Sequence, residues 1–523
     1  MKQILTKAQL LLFVFIILYS IFLVFLAEKT SIEFDETTHS LLAVFYKDLI
    51  KFSISHFNLK EIYDYAYSYL VYYPKLSVYY PPLTHLTIAF VFSFLTPSFL
   101  VARLTIVIFS IAFILLIFKF SKFVLKNEKA AFLSVFLFCS APITIYLSRG
   151  VYLDLPVAFF FTLAIFLYLI ALEHKNKKYY ILAGLVSGLC FLVKWFALFI
   201  FPIIFLYVLL EKKREIKNLL LSFLISALII IPYILLANKL GIFLLVFVSE
   251  RGTLIPATST IPQANTIEGW IVYSNFINTY YFVFPLSILL LYSFCKYIKD
   301  KKEYWKLWII WISLTYISLT LIPNKDPRFF FISIFPFCIV ISKHLTEWKD
   351  NKPLKILVVA LLLLVNFLTF FNFVYTLKNL YGKPPFNFQN YKTYGKEISS
   401  FISSYTTYFA SETLRALPSE TMFYLASEGK FVKILRPCAG DFDINQTLYE
   451  TGVKWVVYDG EDKNNSYIVK LKEADLITLE KDIDGIEIYA YKFFNQNPKE
   501  NCNIVCLTEE KICERIDLKS FST

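Results

Sequence analysis

In the stretch SIEFDETTHS, residues 31–40, Asp35 and Glu36 stand side by side a few residues after the apolar run QLLLFVFIILYSIFLVFLA. Two readings stand for such a pair. Acids favour the first turn of a helix, where they accept hydrogen bonds from free N–H groups and oppose the dipole. Alternatively, one of them is a general base. An alcohol is a poor nucleophile at neutral pH, so transfer onto a hydroxyl needs a carboxylate within hydrogen-bond reach of its proton. His39 follows Asp35 by four residues, so the two share a helix face. An Asp/His pair can hold a divalent metal, the one cofactor this sequence raises, although lone histidines on amphipathic helices are commoner than ligands.

Further charges interrupt apolar stretches. SRGVYLDLPVAFFF (148–161) carries Arg149 and Asp154 where two such stretches join. Arg149 reads as an interfacial anchor and Asp154 as a helix N-cap with Pro156 near its start, or Asp154 is a second acid that orients an acceptor or shares a cation with the first. Lys194 sits inside LVSGLCFLVKWFALFIFP, where a tight hairpin at Lys194 and Trp195 would let it snorkel. Lys325 and Arg328 precede another apolar run in IPNKDPRFFFISIFPF, and Arg103 opens one in FLVARL. A guanidinium fork suits a phosphate, and a cationic cavity would stabilise a phosphate leaving group. Charges in or beside hydrocarbon are costly, which makes each of these a functional candidate.

These residues need elements that hold them at one level. The chain has 523 residues, 57% of them hydrophobic and 18% charged. Runs such as LLLSFLISALIIIPYILL (219–236) approach the roughly 20 residues that cross a ~30 Å hydrocarbon core, and they recur along the first three quarters of the sequence. This is a polytopic α-helical membrane protein, and the lipid bilayer is its first partner. The N-terminal run is too long for a signal-peptide core of roughly 7–15 residues and stays as a membrane helix. The formal net charge of +12 would suggest nucleic acid in a soluble chain, but here the Lys and Arg residues collect in short loops and report orientation. No nucleic-acid partner is implied.

The basic loops at 118–130, 173–178, 211–217, 296–306 and 343–355 are placed in the cytoplasm together with the N-terminus. Fitting spans between them gives about eleven transmembrane helices, near 8–27, 103–120, 130–147, 155–172, 180–194, 196–210, 218–237, 281–297, 305–322, 329–345 and 355–376. The C-terminus then lies outside the cell membrane. The candidate charges fall at the outer ends of these spans. A first outer loop runs from about 28 to 102 and holds two interfacial helices. One is amphipathic, with Leu41, Leu42, Phe45, Leu49 and Ile50 at helical spacing, and the other is the short apolar segment 83–97.

After residue 380 the composition becomes mixed. Apolar runs KILR, KWVVYDG, LITLEKDID and IEIYAYKF alternate with helical stretches at 390–405, 418–428, 445–452 and 465–474. Residues 1–380 are therefore assigned to a transmembrane domain and 381–523 to a small extracytoplasmic α/β domain, hinged at YGKPPFNF (381–388). Cys438, Cys502, Cys506 and Cys513 lie in that domain, an even number that permits disulfides.

The stretches FDETTHSLLA, VYYPPLTHLTIAFVFSFLTPSFLVARL, SRGVYLDLPVAFFFTLAIFLY, AGLVSGLCFLVKWFALFIFP and DPRFFFISIFPF, in this order within residues 8–345, resemble the membrane glycosyltransferases of the C-type superfold (GT-C). The likeness is greatest to the protein O-mannosyltransferase and aminoarabinose transferase-like families. It implies a GT-C-like fold and transfer of a sugar from a polyprenyl (dolichyl or undecaprenyl) phosphate carrier to a hydroxyl acceptor on a protein, lipid or glycan at the outer face, with inversion. It implies Asp35 as the base with Glu36 as its partner, Asp154 as the acid after the third helix, and Arg328 near the carrier phosphate. Phe329 stands where the family motif has Tyr. Arg103, Arg149, Lys194 and Lys325 are the remaining cations expected on the phosphate side. A lipid phosphate leaves as a stable anion, so no second carboxyl is required at the leaving oxygen, unlike in glycoside hydrolysis.

Two alternatives fit parts of the sequence. A flippase or transporter for a lipid-linked sugar would also place acids and bases in a membrane cavity, but it predicts paired repeats with broken helices, and the sequence carries no internal repeat. An oligosaccharyltransferase-type enzyme would carry a W-W-D-Y-G-like motif, which KWVVYDG (454–460) echoes only loosely.

Overall fold

The computed structural model describes residues 6–348, apart from 31, 73–79, 240–261, 263, 285 and 323–324. Beyond these it describes 357, 359–361, 363–369, 394–402, 406–409, 417–428, 430, 434–435, 453–459, 466–483, 486–492, 504–506 and 513–515. In chain order the first helices are α1 (Lys7–Lys29), α2 (Phe34–Ser55), α3 (Leu59–Tyr72), α4 (Leu83–Phe92), α5 (Phe99–Leu125) and α6 (Glu128–Ser140). They continue with α7 (Pro142–Arg149), α8 (Asp154–His174), α9 (Lys177–Phe191), α10 (Ile200–Glu211) and α11 (Ile216–Lys239). The chain divides into two compact units, one of residues 1–31, 78–84 and 102–389, the other of 32–77, 85–101 and 390–523.

The first unit is built of apolar helices. Among the described residues α1, α5, α8, Lys213–Asn238 and Pro327–Glu347 are each long and apolar enough to cross a membrane. Two bent pairs also qualify, α6 with α7 at 70° and Ile267–Tyr281 with Leu286–Lys299 at 118°. Trp195–Glu211 and Trp305–Leu321 are shorter apolar helices. A helix stands at the expected spans up to residue 345; the span expected at 355–376 lies partly outside the described residues, and the total of about eleven crossings stays a proposal. The span expected at 130–147 is broken at Ala141, because Pro142 lacks an N–H to continue α6 and its fixed φ suits the first position of a new helix. The stretch before 281, which carried no expected helix, is helical from Ile267.

α9 packs on α11 through two glycines one turn apart. A Cβ at Gly184 would lie 2.3 Å from the Ser222 carbonyl oxygen, and one at Gly188 would lie 2.9 Å from the Ile229 side chain. Such small residues let helix backbones approach closely in lipid, where dispersion and hydrogen bonds replace the hydrophobic effect as the force between helices. The approach is fixed by Ser226 Oγ, which donates to Gly184 O at 2.8 Å, and by Tyr168 of α8, whose hydroxyl is 2.8 Å from Ser222 Oγ.

The second unit contains α2, α3 and most of α4. The sequence leads one to expect α2 to lie on a membrane with one apolar face. Instead Glu36 through Phe45 are all buried, and the helix becomes one-sided only later, where Ile50 is exposed. The reason is long-range packing, since α2 contacts α3 and the helix Leu417–Ser427 from the far end of the chain. α4 has ten residues, about 15 Å of helix, which is too short to span and agrees with an interfacial or re-entrant element.

The rest of this unit is an α/β fold. Its strands are β1 (Thr406–Phe409), β2 (Ile434–Leu435), β3 (Val453–Asp459), β4 (Ile477–Ile483) and β5 (Ile486–Tyr491), in the order β2-β1-β3-β5-β4. β1 is parallel to β2 and β3, and β5 is antiparallel to β3 and β4. Val453, Val456, Tyr458, Ile477, Tyr489 and Tyr491 from the strands form a core with Leu471 from the helix Ser466–Glu473. A separate pair, β6 (Ile504–Cys506) and β7 (Cys513–Arg515), sets Cys506 opposite Cys513 in register. The hinge expected at 381–388, the helix at 445–452, Cys438 and Cys502 lie outside the described residues.

Candidate functional site

In the first unit three chain segments bring charged side chains together. The earliest is the end of α1. Thr30 Oγ1 donates to Leu26 O at 2.7 Å and accepts from Arg149 Nη1 at 3.1 Å. Arg103 Nη1 lies 2.7 Å from Ala27 O, 2.9 Å from Thr30 O and 3.4 Å from Thr30 Oγ1. Arg103 therefore satisfies carbonyls that the last turn of a helix leaves open, and a cation is favoured there by the dipole.

The second segment is the turn from α7 to α8. Arg149, fully buried, places its guanidinium 4.9 Å from the centre of the Tyr146 ring. The Tyr152 hydroxyl donates to the Tyr146 hydroxyl at 2.7 Å. Asp154 then starts α8 and is buried. Lys194 Nζ donates to Asp154 Oδ1 at 2.7 Å. The sequence brings Lys194 there because α9 stops at Phe191 and a 3-10 turn begins at Trp195, which is the tight hairpin expected at this point. The ammonium also lies over two rings, 4.9 Å from Phe196 and 4.8 Å from Phe329.

The third segment precedes the helix Ile334–Glu347. Asp326 accepts from Arg328 N at 2.8 Å, from Arg328 Nε at 3.0 Å and from Arg328 Nη2 at 2.8 Å. It is both the N-cap and a bidentate partner of the arginine, whose guanidinium lies 5.4 Å from the Tyr152 ring. Lys325 is buried, donates to Ile322 O at 3.3 Å, and burial pushes its pKa below the ordinary lysine value. Among the side chains named in these three segments, the cations Arg103, Arg149, Lys194, Lys325 and Arg328 outnumber the acids Asp154 and Asp326.

The acid pair falls in the second unit. Asp35 is partly buried and Glu36 fully so, and Glu36 Oε2 accepts from Glu33 N at 3.0 Å across the first turn of α2. One turn further His39 is buried, and its Nδ1 lies 3.1 Å from Nε2 of His85 on α4. At least one of the two rings is then neutral, because one nitrogen must donate and the other accept. Among the described residues no group of three or more His, Cys, Asp or Glu converges as a metal site would require.

The sequence thus singled out the cations of the first cluster, Asp154, and the acids and His39 of the second, but missed Asp326 and several neutral partners. Asp326 had a signal, because Asp-Pro before an apolar run is a helix-start signature. Thr30, Tyr146 and Tyr152 had none, being ordinary residues at apolar helix ends. His85 stood in the YYPPLTHL stretch, but nothing in the spacing pairs it with His39.

One unit is an apolar helical bundle with a cation-rich turn cluster, and the other carries an acid-led buried helix and a small sheet. Residues 80–236 match the family model described as dolichyl-phosphate-mannose-protein mannosyltransferase. The chain is similar to the crystal structure of ArnT from Cupriavidus metallidurans bound to undecaprenyl phosphate, with 10% sequence identity, a TM-score of 0.62, and coverage of 95% of this chain and 99% of that one. It is similar to the apo structure of the same ArnT at 11% identity, with the same TM-score and coverage. No curated protein matches the sequence. The likeness shows an ArnT-like fold, and the family match covers residues 80–236 alone.

Proposed function

We propose that the chain transfers a sugar from a polyprenyl-phosphate carrier to a hydroxyl acceptor at the outer face of the cell membrane. The observation that carries this reading is the cation-rich group of the buried Arg149 and Lys325 and the half-buried Arg328, in a fold shared with a protein solved with undecaprenyl phosphate. A carrier phosphate is the kind of ligand that such a cluster stabilises at a membrane boundary.

In this reading Asp35 takes the proton of the acceptor hydroxyl. The acceptor oxygen forms its bond to the anomeric carbon as the carbon–phosphate oxygen bond breaks, with inversion, and the electron pair leaves with the polyprenyl phosphate. Glu36, already holding the Glu33 N–H, supports the turn that presents Asp35. Arg149, Arg328 and Lys325 balance the departing charge. Lys194, neutralised by Asp154, positions the Phe329 segment through its ring contact. Arg103 positions Arg149 through their common partner Thr30. The N-terminus is assigned to the cytoplasm, and residues 381–523 to the outer side.

The test is to incubate membranes holding the wild type or Asp35→Asn with radiolabelled polyprenyl-phosphate sugars. The wild type is expected to transfer sugar, and the variant to bind donor equally while losing roughly 10²- to 10⁴-fold in rate, the usual worth of a general base. Wild-type protein that binds every donor yet transfers from none would refute the transferase reading. Equal rates would refute the base assignment alone.

A further inference from the structure

The opposite end of the same helices carries a second cationic feature. α8 ends at Lys175, which adopts φ 52° and turns the chain into α9. α10 ends at Glu211, and one 3-10 turn, Lys213–Glu215, leads into α11. Between these two turns lies a cavity of about 420 Å³. Leu172 and Leu210 give it an apolar wall, Lys175, Lys212, Lys213 and Arg214 a basic one, and Glu211 and Glu215 also line it. It is a helix length from Asp154, roughly 30 Å along the 21 residues of α8.

The acids of these turns are already committed. Glu173 accepts from the Tyr304 hydroxyl, and Glu211 pairs with Lys306. Glu215 accepts from Tyr180 Oη at 3.1 Å and Asn218 Nδ2 at 2.8 Å. Lys175, Lys212, Lys213 and Arg214 are exposed, and among the described residues their side chains have no hydrogen-bond or ion-pair partner. Around this concave surface the four cations outnumber the two acids, of which Glu211 is already paired with Lys306. α8 and α11 are both long and apolar enough to cross a membrane, which sets their ends at the headgroup level. Leu210 at the cavity, and Leu220 and Leu224 one turn apart near the start of α11, are more than half exposed and offer apolar surface.

We infer that this basic bay binds the phosphoryl headgroup of an anionic membrane lipid, with its acyl chains along the exposed leucines of α10 and α11. The shared chemistry is a phosphate monoester or diester. The apolar wall and the position at a membrane boundary favour a lipid over a soluble phosphate. The inference is independent of sugar transfer.

The test uses the purified full chain in nanodiscs of phosphatidylcholine doped with labelled phosphatidylglycerol, with bound label counted at near-physiological salt. Lys212→Gln/Lys213→Gln/Arg214→Gln is expected to lower retention of the label about tenfold, since each basic group near a charged lipid surface contributes several-fold in affinity. Lys119→Gln/Lys126→Gln/Lys129→Gln, which removes equal charge from another loop, should change it less than about twofold. The charge-keeping Lys212→Arg/Lys213→Arg/Arg214→Lys variant should retain wild-type binding, which separates lost charge from a misfolded turn. Wild-type retention by the Gln variant, or an equal fall in the other-loop variant, would overturn the site. Displacement of the labelled lipid by glycerol phosphate as effectively as by unlabelled lipid would overturn the lipid source.

Discussion

Lys194→Met tests whether the turn cluster is held by an ion pair. The Lys194 and Asp154 side chains are 11% and 5% exposed, and their charged atoms are 2.7 Å apart. Removing the lysine leaves a carboxylate at the start of a helix whose first turns are buried among apolar residues. Breaking a buried pair in this way costs roughly 3–5 kcal/mol, because the remaining charge is desolvated and unmatched. The lost ring contacts to Phe196 and Phe329 add roughly 0.5–1 kcal/mol each, and the dipole at the start of α8 returns roughly 0.3–1 kcal/mol to the orphaned acid. The net expectation is a loss of about 3–7 kcal/mol. Asp154→Asn alone strands the ammonium and should cost a similar amount. The double variant removes both charges, so its loss should fall short of the sum by about 2–3 kcal/mol. SDS-driven unfolding of the detergent-solubilised full chain, followed by tryptophan fluorescence, reads all three. Additivity within about 0.5 kcal/mol would mean that the two charges do not interact and would refute the reasoning.

Gly184→Ala is expected to destabilise the same unfolding transition by roughly 1–3 kcal/mol, because its new Cβ meets a backbone oxygen that cannot rotate away. Gly188→Ala meets the side chain of Ile229, which can move, and should cost less; the reverse order would contradict the close α9–α11 approach. Asn366→Leu leaves the Val283 N–H and the Ser140 carbonyl without their 3.0 and 3.1 Å partner, and should cost roughly 1–3 kcal/mol for each buried group. Arg328→Lys keeps the charge but loses the fork on Asp326, so donor KM should rise about tenfold with a smaller change in kcat; an unchanged KM would remove Arg328 from donor binding. For Lys325, burial lowers the pKa, so its positive charge is present at low pH and is lost as pH rises, before an ordinary lysine would titrate. Donor KM should therefore begin to rise at a pH below 10.5, the value of a solvated lysine, and Lys325→Arg should flatten that rise. Identical pH profiles for the two proteins would refute the assignment.

What was legible in the sequence follows physical range. Strands β3, β4 and β5 and the helices Leu417–Ser427 and Ser466–Glu473 fall within a few residues of the runs that signal them, because alternation and helical periodicity are local. The membrane helices were legible for the same reason, with Pro142 breaking one of them by its own backbone chemistry. The burial of α2 was not, since the helix that covers it is encoded at the other end of the chain and no local pattern reports it. Pairing of ions was equally hidden. Lys194 and Asp154 are 40 residues apart, and each reads separately as a boundary charge.

That hidden pairing changes which cations suit a phosphate. A sequence presents Lys194, Lys325 and Arg328 as equivalent positive charges before or within apolar runs. The structure gives Lys194 the carboxylate of Asp154 and Arg328 that of Asp326, so each enters the cluster largely neutralised. Among the described residues Lys325 has a carbonyl, Ile322 O, as its partner and no carboxylate, and its burial carries a desolvation cost reflected in its lowered pKa. A buried ammonium without a carboxylate gains most from an incoming anion, because the ligand supplies the charge that the fold leaves out. Donor binding should therefore depend more on Lys325 than on Lys194, and Lys194→Met should be felt first in stability, Lys325→Met first in donor KM.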